Sequence, residues 1–181
     1  SGRVYSTGYN QFGQLGTGNT TTANNPQLTL GPGNTYSNPT IPVLDVQLCG
    51  SYKGDGSYPH SGIALLTNGN VWCVGYGGKG QMGNGASTGS NLNWVRVKIN
   101  STTFLSGITK IFTGGPDETT TMYALHSSGQ LYAWGYNGYS NTGNGLTADI
   151  VYALPIPGLT DVVKFWAFGP SIFARKTDGR I

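Results

Sequence analysis

Few side chains in this chain are of the kind that do chemistry. Two histidines and seven acidic residues are spread over 181 positions, whereas acid-base or nucleophilic catalysis needs such groups in partnership. His60 has no evident catalytic partner in the sequence. His126 falls at a repeat position that Leu66 and Lys176 also occupy, which argues against a shared reactive role. Asp117 and Glu118 are the one adjacent carboxylate pair, and their setting after Gly114-Gly115-Pro116 reads as a turn. Asp55, in Lys53-Gly54-Asp55-Gly56, reads as a turn as well, because calcium needs several oxygen ligands at regular spacing. The glycine-rich stretches lack the following helix that a phosphate-binding fingerprint requires. Asn19-Thr20-Thr21 and Asn100-Ser101-Thr102 match the glycosylation pattern, which matters only in a secreted eukaryotic chain. Cys49 and Cys73 sit in apolar, strand-like runs and are expected as two buried thiols, with a single disulfide as the alternative. No catalytic residue, metal site or cofactor is expected.

Composition indicates what must stand behind those residues. Thirty glycines and nine prolines, with many Asn, Ser and Thr residues, disfavour helices and favour short strands joined by tight turns. A hydrophobic content of 37% supplies a core, so disorder is not expected. Only 9% of residues are charged, against roughly a quarter in a typical soluble domain, and this points to an extracellular or virion setting. The net charge of +3 is thinly spread, with Arg96 and Lys98 or Arg175 and Lys176 as the densest pairs. Nucleic-acid binding needs a clustered basic stripe and is not expected. No apolar run approaches the roughly 20 residues that cross a bilayer, so membrane insertion is not expected either.

Self-similarity organises the chain. Gly2-Arg3-Val4-Tyr5-Ser6-Thr7-Gly8-Tyr9-Asn10-Gln11-Phe12-Gly13-Gln14-Leu15-Gly16-Thr17-Gly18 aligns without gaps on Gly69-Asn70-Val71-Trp72-Cys73-Val74-Gly75-Tyr76-Gly77-Gly78-Lys79-Gly80-Gln81-Met82-Gly83-Asn84-Gly85. A third copy runs from Gly129 to Gly145 and replaces Gly-Gln-Leu by Ser140-Asn141-Thr142, and a fourth begins at Gly179-Arg180-Ile181. Before each anchor glycine lies a second shared block: Ala64-Leu65-Leu66-Thr67-Asn68, Ala124-Leu125-His126-Ser127-Ser128 and Ala174-Arg175-Lys176-Thr177-Asp178. A polar residue and a glycine between alternating apolar runs predict a strand, a two-residue hairpin turn and a second strand. The small residues Ser6, Cys73 and Ala133 alternate with Tyr5, Trp72 and Tyr132, as a strand packed on both faces requires. Val46-Gln47-Leu48-Cys49, Ile111-Phe112-Thr113-Gly114 and Trp166-Ala167-Phe168-Gly169 predict one more strand per unit. The runs around Ile41-Pro42-Val43, Val95-Arg96-Val97 and Leu154-Pro155-Ile156 predict a fourth, with proline marking a sheet edge. Four short strands per unit is the count of a propeller blade.

These blocks resemble the regulator of chromosome condensation repeat family, in which a strand ending in Trp-Gly is followed by a polar loop and Gly-Gln-Leu-Gly. The residues that carry the resemblance are Asn10-Gln11-Phe12-Gly13-Gln14-Leu15-Gly16, Ala133-Trp134-Gly135-Tyr136-Asn137 and Pro59-His60-Ser61-Gly62-Ile63-Ala64-Leu65-Leu66-Thr67. Thr7 and Val74 stand where the family has tryptophan, and Ser140-Asn141-Thr142 departs from the loop motif. The expected fold is all-β: propeller blades of about four antiparallel strands, roughly three repeats of a larger propeller. One partial-propeller domain, 1–181, is expected, with repeats at approximately 2–68, 69–128 and 129–178 and a fourth beginning at 179. Three repeats do not close a ring, which takes about four to eight blades. The chain is therefore expected to continue into a longer polypeptide or to close by self-association.

The anchor glycines at 2, 69, 129 and 179 are 67, 60 and 50 residues apart, and the excess falls in loops. Residues 19–39 and 51–59 are the candidate contact surface, with Tyr36, Tyr52, Lys53 and Tyr58 as adhesive side chains. Solvated loop is the plainer reading, because loops lengthen at little entropic cost. The expected function is a non-enzymatic recognition or assembly module on a virion or extracellular surface, such as a fibre, tip or adhesion domain, that meets a protein or surface glycan. The resemblance implies two alternatives: nucleotide exchange on a small GTPase, or a secreted enzyme-inhibitor-like propeller.

Overall fold

The computed structural model describes residues 3–29, 41–50, 60–115 and 119–181. Its elements are strands: β1 (Tyr5–Gly8), β2 (Ala23–Leu28), β3 (Val43–Cys49), β4 (Ser61–Leu66), β5 (Val71–Tyr76), β6 (Ser90–Arg96), β7 (Ile108–Gly114), β8 (Thr121–His126), β9 (Leu131–Gly135), β10 (Ile150–Pro155), β11 (Val162–Phe168) and β12 (Ser171–Lys176). They form two four-stranded antiparallel sheets, β3-β4-β5-β6 and β7-β8-β9-β10, and two two-stranded sheets, β1-β2 and β11-β12. This is the all-β, four-stranded blade architecture the repeats predict.

Each sequence repeat feeds two sheets. The run that opens a repeat becomes the third strand of one blade (β1, β5, β9), and the block that closes it becomes the second strand of the next (β4, β8, β12). β7 touches β3 and β4 on one side and β11 on the other, which makes β3, β7 and β11 the inner strands around a common axis. Measured by position within a blade, β1-β2 is an outer half and β11-β12 an inner half.

The hairpins differ from expectation in one detail. Leu66 N donates to Asn70 O and Gly69 N to Leu66 O, and the same pair of bonds recurs at His126/Gln130 and at Lys176/Arg180, so the loop has three residues and not two. The glycine that ends it has φ of +77°, +85° and +83° in the three copies. That is the left-handed position of a three-residue hairpin with a bulge, which only glycine fills without strain.

The cores lie between blades. Ile63, Leu65, Val71 and Cys73 of one sheet pack on Ile111, Met122, Ala124, Trp134 and Ile150 of the next. Tyr123, Leu125, Leu131 and Ala133 continue the stack onto Val162, Phe165 and Ala174 of β11-β12. Covered on both faces, β4 and β8 read as near-continuous apolar runs, as doubly buried strands do. Each buried Leu, Ile or Met there contributes about 1.5–3 kcal/mol.

Two of the expected fourth strands are present as the outer strands β6 and β10. The first unit departs: Val43 opens β3, and the outer strand of that unit is Ala23-Asn24-Asn25-Pro26-Gln27-Leu28, inside the stretch expected to be a loop. Its composition is poor in strand formers. Pairing with β1 (Tyr5 opposite Leu28, Ser6 opposite Gln27) holds it extended, and Pro26 is tolerated because this is a sheet edge.

Candidate functional site

The third strand of every blade runs into a short loop: residues 9–18 after β1, 76–85 after β5 and 136–145 after β9. Each is two successive turns. Gly13 N donates to Asn10 O and Gly16 N to Gly13 O, Gly80 N to Gly77 O and Gly83 N to Gly80 O, Ser140 N to Asn137 O and Gly143 N to Ser140 O. A side-chain amide oxygen ties the first turn: Gln14 accepts from Phe12 N at 2.9 Å, Gln81 from Lys79 N at 2.8 Å and Asn141 from Tyr139 N at 3.1 Å. Asn141 thus does the work of the missing glutamine, and the motif break at Ser140-Asn141-Thr142 leaves the loop intact. A buried asparagine ties the far side in two copies. Asn137 Nδ2 donates to Leu146 O and Ala148 O while its Oδ1 accepts from Thr142 N, and Asn10 repeats this with Asn19 O, Thr21 O and Leu15 N.

The glycines of these loops let the backbone lie against the next blade. A Cβ on Gly13 would sit 2.7 Å from Leu92 Cα of β6, and one on Gly80 would sit 2.6 Å from Ile150 O of β10. The third copy carries Ser140 at φ +57°, a strained conformation for a side-chain-bearing residue. The last glycine of the motif meets a tryptophan. Trp134, the family residue on β9, lies against Gly83 and donates Nε1 to Gln81 O at 2.9 Å. In the preceding blade, where Val74 stands in the tryptophan place, Trp94 reaches across from β6, lies against Gly16 and donates Nε1 to Thr29 Oγ1 at 2.7 Å. Sequence alignment of the third strands could not reveal this exchange, because the replacement comes from a different strand.

Together the loops make an aromatic rim. Phe12 meets Tyr76 edge-on at 5.4 Å across two blades, and Tyr136 meets Tyr139 at 5.6 Å within one loop. Tyr139 is 68% exposed, and Lys79 of the second loop lies 3.9 Å from Asp149, which accepts from Asn137 N of the third. Gly50 and His60, the described residues after β3 and before β4, stand at this same rim, whereas Thr29 and Ile41 stand at the opposite end. All four expected contact residues lie outside the described residues, as do Asp55, Asp117 and Glu118.

A second feature went unnoticed in the sequence. A groove of about 530 Å³ opens between β1 and β3, walled by Val4, Tyr5, Leu15, Val46, Leu48 and Trp94, with Gln14, Cys49 and His60 at its end. Gln14 is only 6% exposed, and its Nε2 has no acceptor.

The cysteines are free thiols, Cys73 buried and Cys49 half-buried at the groove. Burial pushes the Cys49 thiol up to about 11 and holds that of Cys73 well above its usual value, so neither is a nucleophile near neutral pH. His60 O accepts from Tyr76 N, and His126 Nδ1 lies 2.8 Å from Ser128 Oγ within its own turn. Among the described residues, no three His, Cys, Asp or Glu side chains cluster to hold a metal, and no helix is long and apolar enough to cross a membrane.

Comparison with known proteins follows the same line. The profile of the regulator of chromosome condensation (RCC1) repeat matches residues 1–52. The chain is similar to the E3 ubiquitin-protein ligase HERC2 of Homo sapiens and of Mus musculus, 28% identical over 158 residues in each, which is 87% of this chain and 3% of the ligase. Among solved structures it is similar to Prp20p of Saccharomyces cerevisiae, described with its binding to Gsp1p and histones, with a TM-score of 0.69 and 15% identity over 95% of this chain and 38% of that one. It is likewise similar to yeast RCC1 (Prp20) bound to Kap60, with a TM-score of 0.70 and 14% identity over 94% of this chain and 37% of that one. At these identities the solved structures show a shared fold, and the chain spans only a small part of each relative. They also correct one expectation. A ubiquitin ligase and a histone-binding protein are intracellular, so an extracellular or virion setting is not what this repeat indicates. Low charge misled because Asn, Ser, Thr and backbone groups hydrate turn-rich sheets in any compartment.

Proposed function

We propose that this chain, which belongs to the regulator of chromosome condensation repeat family, is a protein-binding scaffold whose partner seats on the aromatic rim. The observation that carries the reading is the rim itself: Phe12, Tyr76, Tyr136 and Tyr139 gathered at one end of the blades on loops fixed by buried amides. Tyrosine on a rigid backbone offers large contact area at low entropic cost, and such residues dominate protein interfaces. Tyr52, Lys53 and Tyr58, from the connection at that rim, are proposed to extend the surface, and Tyr36 to contact a partner separately. The solved neighbours support a protein partner by analogy of fold, since their descriptions name Gsp1p, histones and Kap60.

The test is binding of the 181-residue chain to immobilised core histones and to a small GTPase, with Tyr139→Ala and Tyr52→Ala beside the wild type. At least a tenfold loss of affinity in the rim variants supports the reading. Binding that ignores them, or that is competed by polysaccharide, overturns it. Faster release of fluorescent GDP from the GTPase would instead favour nucleotide exchange.

A further inference from the structure

The charges of this chain sort by end. The first and third strands of each blade run towards the rim and the second and fourth run away from it, so a residue's place in its strand fixes its end. Of the nine Lys and Arg side chains among the described residues, only Lys79 stands at the rim. The other eight lie nearer the opposite end, in company with three carboxylates, Asp45, Asp161 and Asp178. Arg96, which ends β6, and Lys98 just beyond it are the densest pair of that end between complete blades.

These two cations share one aromatic ring. Arg96 Cζ lies 4.4 Å and Lys98 Nζ 5.6 Å from the centroid of Phe104, which is 42% exposed. The ring attracts each cation, whereas the cations repel one another, and among the described residues no carboxylate pairs with either. Residues 30–40, between Thr29 and Ile41 in the sequence, contain no Asp or Glu. Burial lowers the pKa of Arg96, with no carboxylate to offset it. Asn70 Oδ1 accepts from Arg96 Nη2 at 2.7 Å, and the buried Nε has no acceptor. Nor does the blade itself require a cation at this place. Arg96 stands opposite Trp72, and its counterparts are Leu28 opposite Tyr5 and Pro155 opposite Tyr132. We propose that Arg96, Lys98 and Phe104 form a docking site for an acidic segment of a partner protein, separate from the rim and at the other end of the blades.

The site is held ready. Ile99 N donates to Thr103 O and Leu105 N to Val97 O, both at 2.9 Å, and Asn100 Oδ1 accepts from Thr102 N and Thr103 N. That turn positions Phe104, Asn70 positions the guanidinium, and Lys98 N donates to Gly83 O at 2.7 Å, so binding loses little conformational entropy. A carboxylate set between the two cations adds an attraction to each, and a planar guanidinium matches a planar carboxylate. Nucleic acid fits less well. The Phe104 ring is engaged by two cations and offers bases no free stacking platform, and the remaining cations of this end are interspersed with carboxylates where phosphates call for a stripe.

The test is fluorescence anisotropy of a labelled deca-glutamate peptide with the 181-residue chain at low salt. Beside the wild type stand Lys98→Glu and, as the same charge change elsewhere on this end, Lys164→Glu. The wild type is expected to bind, with affinity lowered at least about tenfold in Lys98→Glu and less than about threefold in Lys164→Glu. Circular dichroism checks each fold, and the milder Lys98→Gln is expected to lose at least about threefold should Lys98→Glu not fold. Equal losses in Lys98→Glu and Lys164→Glu overturn the site, because diffuse attraction ignores position. No binding by the wild type overturns the proposal, and tighter binding of duplex DNA or of phosphatidylserine vesicles than of the peptide overturns the choice of partner.

Discussion

β4 and β12 hold the same place in their blades and carry related sequences, Ser61-Gly62-Ile63-Ala64-Leu65-Leu66 against Ser171-Ile172-Phe173-Ala174-Arg175-Lys176. Every residue of β4 is buried, whereas in β12 only Ala174 is. Both are six-residue strands, and their turns share the same hydrogen bonds. What differs is company. β4 has a strand on each side, the next sheet over one face and Trp94 of its own sheet over the other, while β12 has β11 beside it and one covered face. In a propeller, then, a strand's burial is conferred by its neighbours, and the half-blades show what the same pattern looks like before they arrive.

The comparison can be broken most sharply at the tryptophans. Trp134 is fully buried between complete blades, and Trp134→Ala is expected to cost about 3–5 kcal/mol by urea unfolding. Trp166, on the exposed face of β11 with Lys164 over its ring at 4.9 Å, should cost less than about 1 kcal/mol, the range of a surface cation-π contact. A smaller loss, about 2–3 kcal/mol, is expected from Asn137→Ala, which strands the carbonyls of Leu146 and Ala148 and the amide of Thr142. Gly80→Ala combines a left-handed φ of +81° with a Cβ 2.6 Å from Ile150 O, and a loss of at least about 1–2 kcal/mol is expected from the backbone alone.

The thiol beside the groove gives a pH test. Cys49 ionises near 9 when unfolded and near 11 when folded, so the folded chain holds its proton longer. Stability should be full below pH 9 and fall as pH rises towards 11, and Cys49→Ser should flatten that part of the curve. The smallest effect expected is a gain. Ser140, strained at φ +57° where its counterparts are glycine, should yield a few tenths to about 1 kcal/mol on Ser140→Gly, the relieved strain being offset in part by the greater backbone entropy of glycine.

The hairpins and inner strands were legible because their signals are local: alternation, a polar residue, then glycine. The outer strand of the first unit was not, since Ala23-Asn24-Asn25-Pro26-Gln27-Leu28 is strand only by virtue of the edge it pairs with. Trp94 in the tryptophan slot and Asn141 in the glutamine role were hidden for related reasons, one lying on a different strand and the other one methylene shorter. The aromatic rim was half legible. Tyr9, Tyr76 and Tyr136 stand at one repeat position, but their convergence with Phe12 and Tyr139 depends on how adjacent blades stack. Compartment was misread because the composition of turn-rich sheets carries little information about it.

Hydrogen exchange on the 181-residue chain tests most directly the claim that neighbours confer burial. Amides of β4 and β8 are expected to exchange orders of magnitude more slowly than those of β12. Equal protection across all three second strands would contradict the claim.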